Sequence, residues 1–447
     1  MQDNKLKRVL TRFDAVMLGF GAMIGWGWVI LAGGWLSDAG YLGTAVAFLI
    51  GAVAIIVVGL NYAELASALP FAGGEHAYTE RAFGSGVSFL CTWAILFGYV
   101  SVVAFEAIAL PVAITYIAPE FKFAPLWEVA GYTVHGSEVM IGIAVSFLVA
   151  GLNIIGIRVA ARVQTAVIIL LLAAGALLLS GAGFHLDRIP PDIPAWKGVG
   201  GIFAVLITVP FLFVGFDVIP QSAEEISGSM RGIGTGLIVA IAMAVLFYLL
   251  IAYSVGLAPL DHGTASIATA DAAGAWWGND RAAAFVILAG IGGILTSWNA
   301  FLIGGSRAIY AMARSGQLPK FLKVVHPKFG TPWAAILLIS SLSAIAPLFG
   351  RSALVWVVNA GGFGIVFAYV FVAAAFIKLR RSEPELERPY RAPGGIIAGW
   401  AALILGFGMM MLYMPFSPSA LIWPQEWGML LAWALLGFGF WTVRPKE

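Results

Sequence analysis

Charge is what this chain has least of. Lys, Arg, Asp and Glu make up 11% of its 447 residues, against about 25% in an ordinary soluble domain. A water-soluble fold of this length needs far more polar surface to cover its core, whereas lipid-facing helices need almost none. Neither sign is in excess: 25 basic and 23 acidic residues give a formal net charge of +2, which excludes a basic surface for nucleic acid. Cysteine is nearly absent as well. Cys91 is the single thiol, so no intramolecular disulfide forms, and nothing near it has metal-ligand spacing; no metal or cofactor is expected. His-Glu-x-x-His, Gly-x-Ser-x-Gly and paired catalytic aspartates are missing from the apolar segments, which argues against an enzyme.

What is present is apolar sequence, 61% of all residues, with a mean hydropathy of +0.93. A helix crossing a bilayer needs about 20 apolar residues. Twelve candidate runs stand between turn or charge signals, at about 13–36, 41–69, 86–117, 139–157, 159–181, 199–222, 232–257, 282–312, 333–348, 352–377, 396–413 and 422–441. Lys5, Lys7, Arg8 and Arg12 precede the first run, which resembles a signal peptide, but the run continues to Leu36 without a small-residue cleavage site and reads as a retained span. Basic residues collect on the cytoplasmic side of multispanning proteins. With both termini inside, 20 of the 25 Lys and Arg fall in cytoplasmic segments, leaving Lys122, Arg188, Lys197, Arg281 and Arg351 outside. The expectation is one membrane domain over 1–447, in the cytoplasmic membrane, with only short loops.

Two spans are interrupted. The first reads Gly19-Phe20-Gly21-Ala22-Met23-Ile24-Gly25-Trp26-Gly27, where unwinding would free amide donors for an anion; packing through small residues explains the glycines equally well. A dinucleotide loop is disfavoured because no strand precedes it. The sixth reads Pro210-Phe211-Leu212-Phe213-Val214-Gly215-Phe216-Asp217, then Pro220. Broken spans five helices apart point to inverted repeats with a midplane site between the breaks. The repeats would cover about 13–181 and 199–377, with 396–441 holding two additional helices.

Further motifs run in order along the chain: Asn61-Tyr62-Ala63-Glu64-Leu65 and Pro70-Phe71-Ala72-Gly73-Gly74; Asn153-Ile154-Ile155-Gly156-Ile157 with Gln164; Gly215-Phe216-Asp217 with Ala223-Glu224-Glu225; Ser306-Arg307 through Gly316-Gln317-Leu318-Pro319; and Arg388-Pro389-Tyr390-Arg391-Ala392-Pro393-Gly394. Across its first ten spans the chain resembles the amino acid-polyamine-organocation (APC) transporters. The resemblance implies an all-α integral membrane protein of 12 transmembrane helices, in a five-plus-five inverted-repeat (LeuT-type) fold with broken helices 1 and 6, working by alternating access. It implies that Gly25, Trp26 and Gly27 meet the substrate carboxylate, that carbonyls of Ala22, Met23, Phe211 and Phe213 meet its amine, and that Phe211 lids the pocket. Two departures stand out. Trp26 replaces the family's small residue between two glycines, and Leu171 stands where many proton-coupled members carry a lysine.

An ionisable residue inside a span costs about 2.5–3.5 kcal/mol and faces a partner or cavity by default. Glu106 has no charged residue within ten positions on either side; it is a proton carrier, a partner for the substrate amine, or a protonated acid bonded to a carbonyl. Asp217 either caps the sixth-span break or takes part in coupling. Glu64 is expected to hold loops or an inner gate. Trp298 and Asn299 are candidates for substrate packing, and Asn359 for the outer gate. The family resemblance implies an inner salt-bridge gate in which Glu224 and Glu225 pair with basic residues such as Arg307. His76 reads as a solvated loop histidine.

The function that follows is secondary active transport of an amino acid, with a proton or a second substrate as driving partner. Polyamine or monoamine transport is the runner-up. A membrane-embedded sensor or channel lacks any signalling domain in this sequence, and a disulfide-linked subunit is not expected, because Cys91 falls near the cytoplasmic start of the third span.

Overall fold

A computed structural model describes residues 10–155, 157–262 and 265–444; Lys5, Lys7, Arg8, Gly156 and Lys446, used above, lie outside them. Seventeen α-helices follow in order: α1 Arg12–Met23, α2 Gly27–Ile30, α3 Ala32–Ala68, α4 Glu75–Phe83, α5 Ser85–Ile117, α6 Gly136–Ile155, α7 Ile157–Phe184, α8 Val199–Leu206, α9 Val209–Phe213, α10 Val218–Gln221, α11 Met230–Gly256, α12 Ala268–Trp277, α13 Asp280–Arg314, α14 Trp333–Ser343, α15 Ala353–Ser382, α16 Ile396–Met411 and α17 Gln425–Thr442. Among the described residues nine segments are long and apolar enough to cross a membrane, and two shorter apolar ones, Trp333–Phe349 and Ile396–Met411, accompany them. The chain is a multi-pass membrane protein. Its outward faces carry Leu148, Ile169, Leu246, Ile404 and Leu435, all largely exposed, as lipid-facing positions should be.

In the interior α8 packs on α3, α9 on α15 and α3, and α10 on α13 and α1, while α5 packs on α15 and α13. The third span has Pro111 within α5. Its missing N–H leaves a carbonyl one turn back without its helical donor, and α6 closes on this stretch through Gly142, where a Cβ would meet the Ala107 carbonyl oxygen at 2.6 Å.

Both ends of the bundle tie the first span to the sixth. At one end Leu10 pairs in parallel with Ile226; its N–H donates to the Glu225 carbonyl at 3.0 Å, and its own carbonyl accepts from Ser227 N–H at 2.8 Å. At the other end the chain turns from the first span into the second at Gly40, with no loop. Gly40 has φ +72°, and a Cβ there would collide with Pro194 and Ala195, so only glycine fits. The segment leading into the sixth span lies across this turn. Leu42 N–H donates to the Ala195 carbonyl at 3.0 Å, Lys197 N–H to that of Ala39 at 3.1 Å, and Lys197 Nζ to that of Ser37 at 2.8 Å.

The all-α architecture carries one small addition: β1 Pro125–Val129 and β2 Tyr132–His135 form an antiparallel hairpin in the third-to-fourth-span loop. Ala130 and Gly131, at φ +46° and +79°, make its tight turn, since positive φ at both positions matches the strand twist. The segment between the seventh and eighth spans carries α12. One expectation needs correction: His76 is not solvated. It is 3% exposed on α4, bonded to Ser88 Oγ at 2.8 Å and Ser315 Oγ at 2.9 Å; burial lowers its pKa to about 4.

Candidate functional site

The first span unwinds where the glycines stand. α1 ends at Met23; Ile24 leaves helical geometry at φ −103°, ψ 65°, and α2 begins at Gly27. The first N–H groups of a new helix have no intrahelical acceptor. In the sixth span α9 ends at Phe213, Val214 is extended, Gly215 takes φ +128°, and α10 starts at Val218. The two breaks touch. A Cβ at Gly215 would lie 2.6 Å from the Ala22 Cβ and 2.9 Å from the Met23 nitrogen, so positive φ and close approach both require glycine there.

A residue not singled out from the sequence fastens this junction. The Tyr248 hydroxyl, from α11, donates to the Met23 carbonyl at 2.8 Å and lies 3.4 Å from that of Leu212. Its ring packs on Phe213 at 5.2 Å and stacks on Phe48 at 5.3 Å. No local pattern distinguishes this tyrosine from the others in apolar sequence. The Met23 carbonyl is thus already engaged, and the Phe213 ring turns toward α3 and α11. Phe211 faces the opposite way, edge-on to Phe105 at 5.6 Å.

The two candidate acids sit in different circumstances. Asp217, fully buried, has both oxygens partnered: Oδ1 accepts from Gly215 N–H at 2.7 Å and Oδ2 from the Tyr99 hydroxyl at 2.7 Å. It caps the break and pins it to α5. Glu106, 1% exposed, lies against Gly25, with the Ser297 hydroxyl and the Trp26 backbone amide as polar neighbours. Its Oε2 has no hydrogen-bond partner, and a buried unsatisfied oxygen of this kind costs about 1–3 kcal/mol unless something fills the space.

The eighth span, α13, closes the first-span break from behind. A Cβ at Gly293 would lie 2.7 Å from the Gly25 carbonyl oxygen, and one at Gly290 would lie 2.7 Å from Trp26 Cε3. The Trp26 indole therefore packs on α13 at Gly290 and is fully buried. Trp298 is buried too, with its Nε1 unpartnered. Asn299 donates to Gln164 Oε1 at 3.0 Å, and Gln164 reaches the Leu18 carbonyl at 3.2 Å, which joins the fifth and eighth spans to α1.

The structure brings Ala22, Met23, Gly25, Trp26, Gly27, Glu106, Phe211 and Phe213 to one junction and leaves the gating candidates away from it. Glu64, fully buried, pairs with Arg380, with Arg388 Nε at 3.1 Å, and with the Ala392 N–H at 2.8 Å. Glu224 meets Arg314 at 3.5 Å near the surface. Its neighbour Glu225 makes the buried pair, to Arg307 Nε at 2.7 Å and a second guanidinium nitrogen at 3.1 Å. Asn359 donates to Glu426 Oε1 at 2.8 Å, linking α15 to α17. Among the described residues no cluster of His, Cys, Asp and Glu has a geometry able to hold a metal ion.

Comparison with known proteins extends over the whole membrane domain. A branched-chain amino acid permease of Bacillus subtilis is 28% identical over 94% of this chain and 91% of its own length. The methylthioribose transporter of the same organism is 26% identical over 88% and 85%, and its aspartate-proton symporter 26% over 89% and 78%. Residues 10–440 match the amino acid permease family. The broken first and sixth spans meeting at Gly215 agree with that match along nearly the full length, and the chain belongs to the amino acid permeases of the APC superfamily.

Proposed function

We propose that the protein is a secondary active transporter of a neutral, apolar amino acid, working by alternating access across the cytoplasmic membrane with both termini inside. Twelve spans are reached by adding Trp333–Phe349, Ile396–Met411 and α17 to the nine long segments. The repeats, 13–181 and 199–377, each open on a broken span. The substrate carboxylate is received by the amides of Gly25, Trp26 and Gly27, whose position at a helix N-terminus suits an anion. The ammonium is received by Glu106 and carbonyls of the breaks, and the side chain lies toward Phe211 and Trp298.

The observation that carries this reading is the Glu106 carboxylate, buried against the first-span break with one oxygen unpartnered. The preference for a neutral side chain rests on charge. Both Asp217 oxygens are already bonded within the protein, and Arg307 is paired with Glu225. A cationic side chain would have no second acid and an anionic one no cation at the junction. Two of the relatives are named for branched-chain amino acids. Either a proton or a second substrate drives the cycle.

The test is counterflow of radiolabelled leucine in proteoliposomes. Exchange is expected for wild type. Glu106→Gln should raise KM about 10- to 100-fold, the equivalent of losing a charged hydrogen bond worth about 1.5–3 kcal/mol. No exchange by wild type with any neutral amino acid would overturn the proposal. A second reading is favoured by the same carboxylate. Lying beside the Trp26 amide, Glu106 already puts an anion next to the place assigned to the substrate carboxylate, which suits an amine that has none. Competition by putrescine and not by leucine would establish that reading instead.

A further inference from the structure

A second buried acid stands outside the junction and outside the spans. Glu75 opens α4 and is fully buried. One carboxylate oxygen is bonded to the side-chain amide of Gln221, the last residue of α10. The other has no partner, nor has Gln221 Oε1. The backbone around it holds the same residue: Gly73 N–H donates to the Gln221 carbonyl at 3.3 Å. The inner half of the broken sixth span is therefore latched to α4 through this acid.

The groups facing Glu75 from each packed element are Tyr62 on α3, Tyr78 on α4 itself, Cys91 and Tyr99 on α5, Asp217 just before α10, and Tyr369 on α15. All are acids or neutral, and none is a cation. His76, next in sequence, turns away to Ser88, Thr92 and Ser315. Tyr62 packs edge-on against Tyr78 at 6.4 Å and Tyr369 at 5.7 Å, and the hydroxyls of all three lack hydrogen-bond partners. Tyr62 and Tyr369 interact electrostatically with both Glu75 and Asp217, so phenol groups, and no cation, stand near the two acids. A buried carboxylate with no counter-ion is costly, and the group takes a proton instead. Burial, with Asp217 nearby, raises Glu75 well above the usual carboxylate range.

We propose that Glu75 is a proton-binding site of the transport cycle, protonated while it latches the inner half of the sixth span and discharged to cytoplasmic water when that half moves away. On opening, the acid's O–H bond breaks, water takes the proton, and a hydrated carboxylate remains; closure requires a proton to return. This rests on the transport proposed above, with the proton as driving partner.

Glu75→Gln keeps the bond to Gln221 and removes the proton. In proteoliposomes it should retain leucine counterflow within about threefold of wild type, while accumulation driven by a pH gradient and leucine-dependent proton flux, read by an internal pH dye, are lost. Glu75→Asp should restore both. Gradient-driven accumulation by Glu75→Gln at the wild-type level would overturn the proposal, as would loss of counterflow in a Gln variant of unchanged thermal stability. A substrate-free measurement separates this from failure of the transport reading. A group whose folded pKa is raised binds more protons when folded, so its contribution to stability is lost as pH rises through the folded pKa. The melting temperature of detergent-solubilised wild type should fall from pH 5 to pH 9 more steeply than that of Glu75→Gln; coincident curves would overturn the assignment even if leucine is not the substrate.

Discussion

Removing one member of the Arg307–Glu225 pair should be among the most damaging single changes in the protein. Both side chains are almost fully buried, at 1% and 3% exposure, and two guanidinium nitrogens meet the carboxylate at 2.7 and 3.1 Å. Glu225→Gln removes the counter-charge: the amide oxygen still accepts one guanidinium hydrogen bond, and Nη1 keeps the Ser306 hydroxyl at 2.9 Å, but the buried cation has lost its anion. An uncompensated buried charge costs about 3–5 kcal/mol, roughly two to three and a half orders of magnitude in an equilibrium constant. The pair sits where Leu10 joins Glu225, so the loss falls on the conformation in which the start of the first span is held against the end of the sixth. The melting temperature in detergent should drop by several degrees. A Leu10→Cys reporter in a Cys91→Ala background, buried in the described conformation, should label faster with a maleimide. Replacing both partners by apolar residues, Glu225→Leu with Arg307→Met, should recover most of the stability, because the desolvation cost of both charges disappears with their attraction. A double variant no more stable than the single one, or unchanged melting and labelling in Glu225→Gln, would refute this account.

Trp26→Ser should cost about 3–5 kcal/mol, as for a large buried ring, and leave the substrate profile unchanged, because the indole fills space against Gly290; a widened amino acid range in competition assays would contradict that placement. His76, held neutral down to about pH 4 by burial, adds a pH dependence opposite in sign to that of Glu75. The unfolded chain binds its proton near pH 6.5, so stability is complete above that value and falls as pH drops toward 4, by about 3 kcal/mol over the window. His76→Gln should flatten this acid limb in thermal melts between pH 4 and 7, and an unaltered limb would assign it to other groups.

Both breaks left a signal in backbone chemistry, in the glycines at 25, 27 and 215 and the proline at 210, although helix packing through small residues accounted for the first-span glycines equally well until Ile24 was seen to leave helical geometry. The spans were legible because hydropathy is summed over many positions. What sequence could not provide is direction. Glu106 and Asp217 are both single acids in apolar runs, yet one has both oxygens bonded, by Gly215 and by Tyr99 from another span, while the other keeps an unpartnered oxygen; only the folded chain decides this. His76 followed a glycine pair in a charged segment and looked solvated, because the residues that bury it come from α5 and from Ser315 after α13. The hairpin was missed because Ala-Gly is a weaker turn signal than Asn-Gly.

Gly40 and the segment at Pro194–Lys197 have a mechanical consequence. With no slack between the first and second spans, and with that segment bonded across the turn, the halves of spans one, two and six nearest Gly40 behave as a single clasp. The opposite halves of spans one and six are fastened separately, through Leu10, Glu225 and Arg307. Between the two fastenings the helices are interrupted at Ile24–Trp26 and Val214–Asp217, with a further turn at Ile207–Thr208, so relative motion of the halves concentrates its torsion at these interruptions. Seen this way the unwound segments are the molecule's articulated joints, and whatever occupies the space beside Glu106 sits on their axis.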